Sequence, residues 1–178
     1  MRRVRYNVAM SLDGYIADAR DGFDWIPNDD TVDFAGLFAR VDTILIGRRT
    51  YEVMRSSGGE LPWKPDARVY VVSRTLAPAA GERVTAVTDD PVALASSLRH
   101  EAGDGEIWLF GGGQLFATLL DAGQVDAVEI TVVPVLLGGG IPVLAPTAAR
   151  APLTLTHTHV YPSGMVALHY DVPGATGR

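Results

Sequence analysis

Three apolar runs in this chain end in groups suited to holding an anion. Thr43 to Ile46 leads into Gly47, Arg48, Arg49 and Thr50, Val69 to Val72 into Ser73 and Arg74, and Ile107 to Phe110 into Gly111, Gly112 and Gly113. After the third, Gln114, Leu115 and the residues that follow have the apolar spacing of a helix. Glycine lets the backbone come close to a ligand, and a helix that opens at such a turn points unpaired N–H groups and the positive end of its dipole outward. Arginine adds a planar fork of donors that fits phosphate. A single glycine turn is more often a packing feature; the recurrence at three strand ends is what points to a phosphate-rich ligand. Lys64 is the only lysine, so the glycine-lysine-serine or -threonine signature of a P-loop is missing.

Other reactive groups are sparse. There is no cysteine, which removes disulfides, thiolate metal sites and a cysteine nucleophile together. No GxSxG nucleophile motif occurs. His157 and His159 lie two apart on a predicted strand and share a face, but no carboxylate partner accompanies them, so no metal site is expected. His100 and His169 read as solvated. Asp29, Asp30 and Asp33 lie beside an apolar helical pattern, where each is able to serve the start of a helix.

The elements that position these groups follow from periodicity. Arg3 to Met10 alternates, with Val4, Tyr6, Val8 and Met10 on one face, and predicts the first strand. Asp13-Gly14 marks a turn, Tyr15 to Ala17 a short extended piece, and Asp18 to Asn28 a surface loop anchored by Phe23 and Trp25. Val32, Phe34, Leu37, Phe38 and Val41 predict a helix from Asp30, capped by Asp30 or Asp29, with Asp33 in its first turn. The three apolar runs lack polar alternation, as do strands covered on both faces of a mostly parallel sheet. Thr50 to Met54 predicts a helix start, Pro91 to His100 another helix with Asp90 as its cap, and Ala77 to Gly81 a loop.

The last third reads as antiparallel. A strand spans Val125 to Val133, with Glu129 and Thr131 on its polar side, and a long connection covers Pro134 to Pro146. Leu153 to Tyr161 and Met165 to Val172 flank Pro162-Ser163-Gly164 as a hairpin, and Gly174 to Arg178 reads as a frayed tail. The fold class is therefore α/β, a mixed, mostly parallel sheet with helices on both faces and a C-terminal antiparallel hairpin. With 178 residues, 47% hydrophobic and 20% charged, one domain over residues 1–173 is expected. The net charge of −6 argues against nucleic acid, and no stretch has the length of a membrane span or the form of a signal peptide. A cytoplasmic location is expected.

Five motifs occur in order: SLDGYIA, GRRTYE, VVSR, GGGQLF and PVLLGGGIPVL. Together they resemble the dihydrofolate-reductase-like superfamily, and most of all the C-terminal reductase domain of the bifunctional riboflavin-biosynthesis protein and its stand-alone relatives. The resemblance implies an NADPH-dependent oxidoreductase that reduces a C=N bond in a pteridine or pyrimidine-derived small molecule, in a protein that is usually a homodimer. It implies that Gly47, Arg48, Arg49 and Thr50 hold cofactor phosphates, that Ser73 and Arg74 meet the 2′-phosphate and adenine, and that Gly111, Gly112, Gly113, Gln114 and Leu115 cover the pyrophosphate and nicotinamide. A non-proline cis peptide joins the first two glycines in that superfamily. Ala9 and Ile16 match positions beside the nicotinamide.

On the substrate side the resemblance implies Trp25, Phe34 and Thr131 as pocket residues and Asp30 as the carboxylate that promotes protonation. Two departures stand out. Tyr15 replaces the basic residue usual in the riboflavin-type motif, and Phe116 replaces a tyrosine common in dihydrofolate reductases. Asp13 is read as a turn-stabilising residue. The alternatives are a nucleotide-binding protein of the same fold without turnover, and an interaction module built around dimerisation.

Overall fold

The computed structural model describes residues 1–56, 63–77, 84–145 and 150–174. Most of the predicted loop from Ala77 to Gly81 and of the predicted tail from Gly174 to Arg178 lies outside the described residues. The chain alternates strands and helices through its first two thirds: β1 (Val4–Ser11), β2 (Tyr15–Ala17), α1 (Phe34–Arg40), β3 (Val41–Gly47), α2 (Arg48–Ser56), β4 (Arg68–Val72), β5 (Ala86–Thr88), α3 (Pro91–His100), β6 (Glu106–Gly111) and α4 (Gly113–Asp121). It then turns to strands alone: β7 (Ala127–Val133), β8 (Ile141–Pro142), β9 (Thr154–Val160) and β10 (Val166–Asp171).

Eight strands form one sheet in the order β5-β4-β3-β6-β1-β7-β10-β9, and β2 pairs with β8 beside it. All pairings from β5 across to β7 are parallel, and β10 runs antiparallel to both β7 and β9. The apolar runs are covered on both faces, as their lack of alternation requires. On one face Leu45, Ile107 and Leu109 pack with Val4, Tyr6 and the α3 and α4 residues Leu98, Leu115, Phe116 and Leu119. On the other, Ile44, Ile46, Val69, Val71 and Trp108 pack with Leu37 of α1 and Tyr51 of α2. The fold is that predicted, helices on both faces included.

Several boundaries differ from expectation. The first helix begins at Phe34, and Asp33 caps it by accepting from the Gly36 N–H at 2.8 Å. Residues 29–32 are held back by a tight turn, in which Asp29 accepts from the Thr31 N–H at 2.9 Å and Val32 donates to the Asp29 carbonyl. Val41 opens β3 instead of closing the helix. The second helix starts at Arg48, not Thr50. The β7 strand is parallel to its neighbour β1, so the antiparallel pairing of the last third comes from β10 with β7 and β9 and from the short β8 with β2. Asp90 caps α3 before Pro91 as expected, accepting from Ala93 N–H at 2.9 Å.

Candidate functional site

The carboxyl ends of β4, β3, β6 and β1 lie side by side, which brings the three glycine and arginine turns together. A Cβ placed on Gly47 would sit 3.5 Å from the Gly111 carbonyl oxygen. One on Gly112 would sit 3.2 Å from Thr50 Oγ1 and 3.7 Å from Ile16 Cδ1, so Thr50, Ile16 and both turns meet at one place. The Gly111–Gly112 peptide is cis, and Gly111 has φ of 119°, a conformation that glycine adopts without a side-chain clash. No side chain caps α4 at Gly112.

The side chains of this region are partly engaged with one another. Arg48 pairs with Glu52 at 3.1 Å and Arg49 with Asp21 at 2.8 Å, both exposed and exchangeable for a ligand phosphate. Ser73 Oγ accepts from the Thr75 and Leu76 N–H groups at 3.0 and 2.8 Å, and Arg74 beside it is exposed. Gln114 is exposed, whereas Leu115 is buried in the core, so its backbone alone can face a ligand. Asp13 accepts from Ser11 Oγ at 2.7 Å and from the Gly138 N–H at 2.7 Å, which ties the SLDG turn to the connection after β7. These bonds, that from Ser11 first, hold its carboxyl below the usual range.

A cavity of about 850 Å³ opens on the α1 side of the sheet, over β1, β7, β10 and β9. Two rows of side chains cross its floor. In one, Asn7, Glu129, His169 and His157 stand opposite one another on successive strands; in the other, Ala9, Thr131 and Ala167 do, while His159, next in register, is exposed outside the lining. Side chains of adjacent strands in register share a face, so four strands supply one surface. The second row is short in side-chain volume at Ala9 and Ala167, which makes room for a ligand. Phe34, Leu37, Val32 and Ile26 form apolar walls, and Asp29, Asp33 and Tyr161 complete the rim.

Glu129 is 3% exposed. It accepts from Asn7 Nδ2 at 2.6 Å and from Arg5, and lies 3.2 Å from His169 Nδ1. Arg5 is shared with Glu106, which it holds through two bonds at 2.7 and 2.6 Å. Burial opposes the charge on Glu106, but the bonds from Arg5 and its positive charge outweigh this and keep the carboxyl below its ordinary value. Burial pushes the His169 imidazole down, and the nearby charges of His157, Arg5 and Arg40 add to this against the opposing pull of Glu129. Asp29 ties the turn before α1 to the hairpin turn, accepting from the Ser163 N–H at 3.3 Å. Its bonds, those from Ser163 first, lower it to about 2. Tyr161 is raised, first by burial and then by Asp29, Asp33 and Glu129.

Of the residues implied on the substrate side, Phe34 and Thr131 line the cavity, and Thr131 stands opposite Ala9, which lines it too. Asp30 is exposed and lies outside the lining, as does Trp25, whose Nε1 donates to the Gly22 carbonyl at 3.1 Å. Asn7, Glu129 and Tyr161 were missed by the reading from sequence. The signal that could have found Glu129 is a carboxylate in the middle of an apolar strand. His169, read as solvated, instead packs half-buried against Glu129, because β10 lies inside the sheet and not at its edge. His100 is exposed, as expected. No helix among the described residues is long and apolar enough to cross a membrane.

Comparison with known proteins agrees with this architecture. The family model described as the RibD C-terminal domain matches residues 2–167, and the chain belongs to that family. The uncharacterized protein YwjB of Bacillus subtilis is 30% identical over 172 residues, covering 95% of this chain and 97% of that protein. A crystal structure of a putative riboflavin biosynthesis protein from Shewanella is 29% identical with a TM-score of 0.83, covering 97% of this chain and 99% of the other. Dihydrofolate reductase from Enterococcus faecalis, solved with NADP(H), shares the fold at 16% identity, with a TM-score of 0.69 and coverage of 96% on each side.

Proposed function

We propose that this protein is an NADPH-dependent reductase of a small heterocycle or iminium-type compound, of the pterin or riboflavin-pathway pyrimidine class, and that it works as a homodimer. The observation that carries this reading is the continuity of the two halves: Ile16 meets the Gly112 turn, and Ala9, on the neighbouring strand, opens onto the cavity. A cofactor lying along the strand ends would thus reach the cavity floor. The bare glycine backbone and the uncapped α4 terminus fit a pyrophosphate.

Gly47 to Thr50 and Gly111 to Leu115 would hold the cofactor phosphates, with Ser73 and Arg74 at the 2′-phosphate. Ile16 and Ala9 would flank the nicotinamide. When bound, that group supplies a hydride to an electron-poor carbon of the substrate. Phe34 and Leu37 orient a planar ring against the sheet, and Thr131 offers it a hydroxyl. Asp30 stands outside the lining, so the acidic role falls to Glu129, whose charge favours a protonated nitrogen on the bound ring.

Calorimetric titration with NADPH and with NADH tests the reading. Tight NADPH binding, much weaker NADH binding, and a loss of about tenfold in that preference in Arg74→Ala at unchanged melting temperature are expected. Failure to bind either nucleotide would overturn it.

A further inference from the structure

Glu129 sits at the cavity floor, but Oε1 already accepts from Arg5 and Oε2 from Asn7, so neither oxygen is free to carry a proton to a ligand. The group that joins this carboxylate to the cavity is His169. It stands opposite Glu129 in the β7–β10 register, with Nδ1 3.2 Å from Oε1, and lines the cavity with 32% of its side chain exposed. A carboxylate only accepts, so it favours the imidazole tautomer with hydrogen on Nδ1. That leaves Nε2, which has no partner among the described residues, for a ligand. His157, on the exposed edge strand β9, packs edge-on against the His169 ring at 5.2 Å between centroids. His169 and Ala167 are two residues apart on one face of β10, so a ring lying over Ala9, Thr131 and Ala167 has His169 at its edge.

The other titratable groups of the lining suit the task less well. Asp29 is held at about 2, first by Ser163, so it carries no proton near neutrality. The Tyr161 hydroxyl is pushed up, first by burial, and keeps its proton. Asp33 caps α1 and Asp24 lies on the loop before it, both exposed. The charged groups around His169 are Glu129 on β7, His157 on β9, Arg5 on β1 and Arg40 at the end of α1. Burial first, then His157, Arg5 and Arg40, push the imidazole down against Glu129, which makes its cation the stronger acid.

We infer that His169 gives the substrate its proton, from Nε2 to the nitrogen of the C=N bond, with Glu129 as the positioning residue behind it and His157 as its path to solvent. This rests on the reductase reading. The reduction balances: a hydride from the bound dihydronicotinamide joins the carbon, the His169 proton joins the nitrogen, and the π bond opens. The cofactor leaves oxidised, and neutral His169 regains its proton through exposed His157.

Two measurements on the full chain test this, with 7,8-dihydrofolate as the probe. Nitrogen-resolved NMR of the imidazoles is expected to show the neutral His169 ring with its hydrogen on Nδ1, and a shift of Nε2 when the probe is added with NADPH. NADPH oxidation is expected to slow as pH rises from 6 to 8. His169→Gln should lower kcat about a hundredfold, leave KM within about threefold and abolish that pH dependence, at unchanged NADPH affinity by calorimetry. His157→Gln should slow turnover by only a few fold. Hydrogen on Nε2, no shift on adding the probe, or turnover and pH profile unaltered in His169→Gln would overturn the assignment while leaving the reductase reading intact. A chain that binds the probe but oxidises no NADPH would overturn the reductase reading, and the proton transfer with it.

Discussion

Glu129 of β7 and Asn7 of β1 stand directly opposite in the parallel register, and Asn7 Nδ2 donates to Glu129 Oε2 at 2.6 Å. With Arg5 on its other oxygen, the carboxylate is fixed at the cavity floor by two neighbouring strands and one shared guanidinium. A buried charge held in this way is stable only while its donors remain, and it cannot swing toward solvent. The same bonds that place it for a ligand thus make it part of the sheet.

Replacing Glu129 by Gln should therefore cost stability as well as binding. The amide presents donors where Asn7 and Arg5 already donate, and a loss of about 2–4 kcal/mol is expected in urea denaturation. Asp171→Asn removes the exposed partner of Arg3 and is expected to change stability by less than about 0.5 kcal/mol. Equal effects of the two would show that the Glu129 network contributes nothing beyond a surface pair.

The half-buried His169 imidazole makes stability depend on pH near neutrality. Its folded value lies below the ordinary 6.5, so the unfolded chain takes up the proton first as pH falls. Stability is then complete above about pH 6.5 and declines as pH drops through that value toward the lower folded one. Glu106, also held low, adds a second decline below its ordinary 4.5, as protonation begins to break its pair with Arg5. Denaturation midpoints measured across this range, with imidazole proton shifts from NMR, check the sign. A His169 resonance titrating at or above 6.5 would refute the first component.

Gly113 is closed in by the backbone of the connection after β7. A Cβ there would lie 2.4 Å from the Pro142 carbonyl oxygen and 3.0 Å from that of Val143, whereas one on Gly139 meets nothing within 4 Å. Gly113→Ala is expected to destabilise by about 1–3 kcal/mol and to weaken NADPH binding by displacing the turn. Gly139→Ala is expected to be close to neutral. Thermal melts and the same titration compare them, and a silent Gly113→Ala would mean that the connection moves freely.

Most of the architecture was legible because it rests on local signals. The apolar runs before Gly47, Ser73 and Gly111 lack alternation because both of their faces are covered, and Asp90 before Pro91 carries its own cap chemistry. The hairpin around Ser163 was legible for the same reason: its turn residues are adjacent in sequence. The start of α1 was not. Asp29, Asp30 and Asp33 are all good caps by type, and the choice of Asp33 follows from the turn that Asp29 makes with Thr31 and its reach to Ser163, more than a hundred residues away.

By itself, the sequence determined the mixed α/β class, the three anion-suited strand ends and the family that they resemble, since each depends on residues a few positions apart. Tertiary structure alone decided that Glu129 faces Asn7 and His169, that Asp30 lies outside the cavity, and that four carboxylates share one wall and floor. The physical reason is that side chains on neighbouring strands meet only through strand order and register. Those arise from how the whole sheet buries its apolar faces, and no local periodicity records them.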